Sequence, residues 1–259
     1  VNAVLFPSDP LAEIPSSSLV AGSGLTIDEA DLVHFLAHAA PVRFSLSGLH
    51  DGRQLESSLP AGQGVLVACS DVCLRVVEGQ VEVRRLGVIN FAKLLAFIDV
   101  VEPAGMQATD QISDTVSVPL DAIHVRDRRS LEYWFIRQLI QGDASFRSLS
   151  AFLRRLENYW LVKYLVSESS QQKNVGDLGN EYGLSYSHFR RVCKAALGSS
   201  VKSELKIWRA ARSLLDVVGG RETMTEIAIR HGYASSSHFS TEIKNLFGLS
   251  PRAIMELKH

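Results

Sequence analysis

Five residues in one short stretch have side chains suited to holding nucleic acid: Tyr186, Ser187, Arg190, Arg191 and Lys194. Read as a helix over 186–197, the stretch turns Phe189, Val192 and Ala196 inward and leaves those five on or beside the open face. A guanidinium makes a forked contact with guanine or holds phosphate, and a lysine at the far end suits phosphate. A second stretch, read as a helix over 236–247, repeats the plan with milder chemistry. Phe239, Ile243 and Leu246 point inward, while Ser236, Ser237, Ser240, Thr241 and Lys244 form the open face. Hydroxyls and one lysine are expected to hold phosphates and to read bases weakly.

Other reactive side chains do not assemble. Cys69 and Cys73 form a CxxxC pair in strand-like surroundings; two thiols do not close a zinc site, so a buried apolar role is expected. His34 and His38 lie one helical turn apart on a segment that reads as a helix over 31–39, with no third ligand nearby. No Ser/His/Asp set or glycine-rich phosphate loop stands out. No metal, cofactor or catalytic residue is therefore expected. An enzyme with a DNA-binding tail, such as an alkyl-transfer repair protein, would need an activated cysteine and a fuller thiol set.

The elements that position the two open faces are written twice. One copy reads Gly183-Leu184-Ser185-Tyr186-Ser187-His188-Phe189, then Lys194 and Gly198-Ser199-Ser200; the other reads Gly232-Tyr233-Ala234-Ser235-Ser236-Ser237-His238-Phe239, then Lys244 and Gly248-Leu249-Ser250. From Phe to the closing Gly the spacing is nine residues in both. Each copy follows a short helix that stops at its Gly, over 175–182 capped by Asn174 and over 224–231 opened by a Thr223/Glu226 capping box. Ser185 reads as the cap of 186–197. Helix, turn, second helix is the shape of a module that lays its second helix in the DNA major groove. A rod over 201–218 joins the copies, with Val201, Leu205, Trp208, Ala211, Leu215 and Val218 as its expected buried stripe. Ser250-Pro251 starts a closing helix.

Upstream the signals are weaker. Residues 1–24 are rich in Pro, Ser and Gly and read as loosely ordered. Segments 64–69, 72–77 and 81–86 read as three strands of a small antiparallel meander. Asn90 reads as the cap of a helix over 91–101, followed by a loop over 102–120. A helix over 128–141 ends at Gly142, Asp143 caps the next, and the pattern stays helical to 169 with a break near Glu157-Asn158. The fold class is α+β: a small β-meander and helical region at 1–147, which regulates or binds a partner, then an all-α DNA-binding domain at 148–259 with two helix-turn-helix modules and a linker helix.

Whole-chain numbers agree with this division. The 259 residues are long enough for two cores, and 46% are hydrophobic. Residues 149–259 carry 16 Lys+Arg and 10 Asp+Glu, a balance of +6, and residues 1–148 carry 11 and 18, a balance of −7. The basic half suits phosphates. Three cysteines do not make a disulfide framework, which points to a reducing cytosol. No run approaches the roughly 18 apolar residues of a membrane span, and no signal peptide is seen near the N-terminus.

These features resemble the AraC/XylS family of transcriptional regulators. The matching positions are Gly183, Phe189, Lys194, Gly198, Arg209, Leu215, Ile227-Ala228, Gly232-Tyr233, Ser237-His238-Phe239, Lys244 and Gly248-Leu249-Ser250-Pro251. Three positions depart from the pattern: Gly179 and Ser213 stand where Ala is usual, and Cys193 where Phe is usual. Further upstream, Asn90-Phe91-Ala92-Lys93-Leu94-Leu95, Glu132-Tyr133-Trp134-Phe135 and Tyr159-Trp160-Leu161-Val162 resemble members of that family that activate type III secretion effector genes. The resemblance implies a bacterial cytoplasmic activator that binds promoter DNA, works with RNA polymerase and takes a tetratricopeptide-type secretion chaperone as coactivator. Many members of the wider family sense small ligands, so a pocket remnant among the strands at 64–89 stays open as an alternative.

Overall fold

The computed structural model describes residues 14–50, 54–101, 115–169 and 173–256. Among these, nine strands occur: β1 (Ser17–Val20), β2 (Gly24–Ile27), β3 (Asp31–Ala37), β4 (Val42–Gly48), β5 (Gln54–Leu59), β6 (Gly64–Cys69), β7 (Val72–Glu78), β8 (Gln80–Arg85) and β9 (Thr115–Pro119). They form two antiparallel sheets, in the orders β1-β8-β3-β6-β9 and β2-β7-β4-β5. Inward residues of the first sheet, Val33, Phe35, Val67 and Val83, join Ile27, Phe44, Leu74 and Val76 of the second in one buried cluster. Phe35 stacks on Phe44 with ring centroids 5.6 Å apart.

This arrangement corrects the expected meander. The segments at 64–69, 72–77 and 81–86 are strands, but none pairs with the next. β6 and β8 flank β3 in one sheet, while β7 lies between β2 and β4 in the other. The short turns between them cross from sheet to sheet. The physical reason is burial: β6 is apolar on both faces, and a lone meander would leave one face in water. Strands β1 and β2 occupy part of the expected loose N-terminal stretch, and β9 part of the expected loop over 102–120, the rest of which lies outside the described residues.

The helix expected over 31–39 is strand β3, and all seven of its residues are buried. Val33 and Phe35 face the sandwich core, and Leu32, His34 and Leu36 face the other side of the sheet. A strand covered on both faces has no alternation, so its apolar run passed for a helix. His34 is a core residue. Its Nε2 lies 2.8 Å from the Leu120 carbonyl oxygen, and burial holds its pKa below the usual value. A Cβ on Gly64 would stand 2.6 Å from His34 Nε2, which explains a glycine there. His38 pairs instead with Glu82 at 2.7 Å. Among the described residues no three His, Cys, Asp or Glu side chains are grouped to hold a metal.

Among the described residues, ten α-helices follow or interleave: α1 (Ile89–Val101), α2 (Arg128–Gln141), α3 (Ala144–Arg154), α4 (Glu157–Glu168), α5 (Val175–Glu181), α6 (Tyr186–Leu197), α7 (Val201–Gly219), α8 (Met224–Arg230), α9 (Ser236–Phe247) and α10 (Pro251–Glu256). Asn90 lies inside α1 rather than capping it. Gly142 ends α2 in the left-handed region, and Asp143 caps α3 by accepting the Ser145 N–H at 2.7 Å, both as expected. The described residues divide into two compact units: 14–95 with 115–156, and 96–101 with 157–169 and 173–256. In the first, α3 packs on β9 and an edge-to-face chain of rings, Phe91–Phe135–Phe146–Trp134, fills the helical layer. In the second, Tyr159 donates its hydroxyl to Asp99 at 2.6 Å. No helix among the described residues is long and apolar enough to cross a membrane.

Candidate nucleic-acid interface

The helical unit contains two helix pairs of similar build. Helix α5 starts at Asn174, whose side chain accepts the Asp177 N–H at 3.0 Å. Gly183 then turns the corner at φ +82°, where a side chain would strain the backbone. The Leu184 N–H donates to the Gly179 carbonyl at 2.9 Å, the Phe189 N–H to Ser185 at 2.8 Å and the Gly198 N–H to Lys194 at 3.0 Å. The second pair repeats these bonds. The Tyr233 N–H donates to Ala228 at 2.9 Å, Phe239 to Ser235 at 3.0 Å and Gly248 to Lys244 at 2.9 Å. Its turn is one residue longer between the corner and the cap. The capping box at Thr223/Glu226 is present as expected. Ser185 sits at the cap position of α6, but its side chain makes no cap hydrogen bond, unlike Ser235 on α9.

Each pair closes on one phenylalanine. Phe189 and Phe239 are fully buried and lie against Tyr182 at 5.7 Å and Tyr233 at 5.0 Å. A Cβ on Gly179 would come within 3.1 Å of Phe189 Cβ, so α5 and α6 approach more closely than an alanine allows without displacement. Its counterpart Ala228 is fully buried with its methyl group in place. Cys193 fills the first pair's core, and burial pushes its thiol up to about 11. On the α4 side, the Tyr164 hydroxyl donates to the Leu178 carbonyl at 3.1 Å.

Helix α7 packs against α6, α8 and α9. Its buried stripe is Val201, Glu204, Ile207, Trp208, Ala210, Ala211, Ser213 and Val217. Leu215 and Val218, expected inside, are 45% and 37% exposed. The buried stripe departs from the apolar pattern because two charged or polar positions, Glu204 and Ser213, belong to it. The Ser213 hydroxyl donates to the Ala210 carbonyl at 2.7 Å, so the turn above it satisfies it. Near the far end of α7, Asp216 accepts from Arg230 at 2.8 Å and pairs with buried His231.

Of the ten expected contact residues, Tyr186, Ser187, Arg190, Arg191, Lys194, Ser237, Thr241 and Lys244 are exposed, and Ser236 and Ser240 are half-buried. The structure brings Tyr186 and Arg190 together, with the guanidinium carbon 5.5 Å from the ring centroid. Helix α6 contains three basic residues and no acid; α9 contains one lysine and one acid, Glu242, which is buried. The surface of α6 is thus the more positive, and both surfaces end in an exposed lysine. His188, His238 and Asn245 share these exposed faces and were not expected there. The His-Phe dipeptide in both copies was the available signal.

A helical unit with an exposed basic helix seated on a turn-and-helix support defines a helix-turn-helix DNA-binding protein. The family model for the helix-turn-helix domain matches residues 178–256. The chain is 43% identical over 199 residues to the invasion protein InvF of Salmonella typhimurium LT2, spanning 75% of this chain and 90% of that protein. It is 38% identical over 129 residues to the transcriptional regulator MxiE of Shigella flexneri, spanning 49% of this chain and 61% of that one. A crystal structure of ToxT from Vibrio cholerae O395 aligns over 94% of this chain and 95% of its own, at 11% identity and a TM-score of 0.38. The chain belongs to the AraC family of transcriptional regulators, of the InvF type, and is a regulator rather than an enzyme.

Proposed function

We propose that this chain is a sequence-specific activator of type III secretion effector genes, acting in the bacterial cytoplasm. The single observation that carries the DNA-reading part is the exposed, acid-free face of α6, built on a hydrogen-bonded frame that recurs at α9. In this reading α5–α6 and α8–α9 are two helix-turn-helix modules of a DNA-binding domain at 148–259. Their second helices enter successive major grooves about one helical turn apart. Tyr186, Ser187, Arg190 and Arg191 carry base discrimination, Tyr186 through its hold on the Arg190 guanidinium, while Lys194, Ser236, Ser237, Ser240, Thr241 and Lys244 mainly hold phosphates. The likeness to InvF supports the assignment to type III secretion.

Residues 1–147 then receive the coactivator, a tetratricopeptide-type secretion chaperone, and the DNA-bound protein engages RNA polymerase. The small-ligand alternative has a larger β-region behind it than the sequence suggested. The interior of that sandwich is nevertheless occupied by Phe35 on Phe44 and their apolar neighbours.

Promoter binding by Arg191→Ala and Lys244→Ala tests the contact roles. A base-reading arginine costs about 1–3 kcal/mol and relaxes preference at one position, whereas a phosphate-binding lysine weakens all sequences alike. Equal, sequence-independent losses for both contradict the assignment. Affinity capture of the full chain from its host, with no chaperone recovered by mass spectrometry, would remove the coactivator from the reading.

A further inference from the structure

Glu242 breaks the pattern of the inner face of α9. Counted from the anchoring phenylalanine, it occupies the place that Val192 holds on α6. It is a carboxylate only 7% exposed, on a helix whose other buried residues include Phe239 and Ile243. Both of its oxygens are met from α7. Arg209 Nη2 donates to Oε1 at 2.8 Å, and Lys206 Nζ lies 3.5 Å from Oε2. The same Arg209 guanidinium lies 4.5 Å from the centroid of Tyr233, the residue that follows the Gly232 corner before α9. Burial opposes the charge on Arg209, and Glu242 outweighs it, so its pKa is raised. One side chain of the rod therefore grips both the turn and the exposed helix of the second pair.

A buried ion pair adds little net stability, because loss of hydration offsets the attraction; an apolar pair of similar volume holds two helices as firmly. What the pair supplies is direction, since a planar guanidinium donates to a carboxylate in few orientations. We propose that Lys206, Arg209 and Glu242 are positioning residues that set the angle of α9 on α7, and so the aim of Thr241 and Lys244 on its exposed side. At the equivalent place α6 has Val192, whose apolar packing is less directional. This inference rests on the reading that α9 touches DNA.

The test uses the full chain and a duplex that the unaltered protein selects from a random pool, with each half-site followed by hydroxyl-radical footprinting. The first half-site is the one weakened by Arg191→Ala. In Arg209→Met/Glu242→Leu the thermal midpoint should hold or rise and first-site protection should persist. Second-site protection should fade or shift, and affinity should fall about tenfold, or about 1.4 kcal/mol. An unchanged footprint and affinity would overturn the positioning role. If the double variant does not fold, Glu242→Gln, which keeps the shape and one acceptor, should still weaken the second site; an intact second site there overturns the role too. Lys244→Ala separates the two levels. If it leaves the second site untouched, α9 is not on DNA and both readings fall. If it weakens that site while the double variant does not, only the positioning role falls.

Discussion

Tyr186→Leu should weaken DNA binding through Arg190 rather than through a contact of its own. The guanidinium carbon of Arg190 lies 5.5 Å from the Tyr186 ring centroid, within the range in which a ring face attracts a cation. Tyr186 is 51% exposed, so the contact sits at the weak end of its range, about 0.5–1 kcal/mol. Removing the ring frees the guanidinium to sample other rotamers before it meets a base. The expected loss is about two- to fivefold in Kd. Arg190→Ala alone should cost about 1–3 kcal/mol if it reads a base. In that background Tyr186→Leu should cost almost nothing, because its effect runs through the missing arginine. Fluorescence anisotropy with the selected duplex, at one salt concentration throughout, gives the four affinities; salt must be held because phosphate contacts depend on it. An equal cost of Tyr186→Leu in both backgrounds would refute the reasoning and place the ring on the DNA independently.

Three further outcomes follow from the same geometry. Thr223→Ala removes half of a capping box on a helix of only seven residues and should lower stability by about 1 kcal/mol, read as a shift in the urea midpoint at constant slope. His231 is buried, which depresses its pKa despite its Asp216 partner. The folded state therefore binds fewer protons than the unfolded one just below the ordinary value of 6.5; stability should be full above that pH and decline as pH falls through the depressed folded value. Thermal midpoints of His231→Asn should show a shallower decline than the unaltered chain, and an identical slope would contradict this. Cys193 is fully buried, with its thiol pushed up to about 11, so a thiol reagent should reach part-buried Cys73 well before it; labelling of Cys193 at the faster rate would mean that the first helix pair opens locally.

Legibility in the sequence differed between the two regions. The capping box at Thr223, the corners at Gly183 and Gly232 and the inward Phe189 and Phe239 are local signals, and each appears where expected. Strand β3 carries no strand signal, because covering on both faces removes the alternation that marks a strand. The sandwich is not legible locally, because β6, β7 and β8 follow one another in the chain yet pair with distant strands. Apolar periodicity alone places Leu215 and Val218 in the α7 stripe and omits Glu204 and Ser213, which are buried with partners of their own.

By itself the amino-acid sequence determined the repeated helix, turn and helix, the side chains left on the open faces of α6 and α9, and the contrast between a basic and an acidic half. Those features depend on residues within a turn or two of each other, where spacing dictates contact. Only the tertiary structure decided which way α9 is held, because Arg209 and Glu242 are 33 positions apart and nothing local marks a buried charge with its partner. It likewise decided how the strands divide into two sheets, since pairing depends on which apolar faces must be hidden from water rather than on order along the chain.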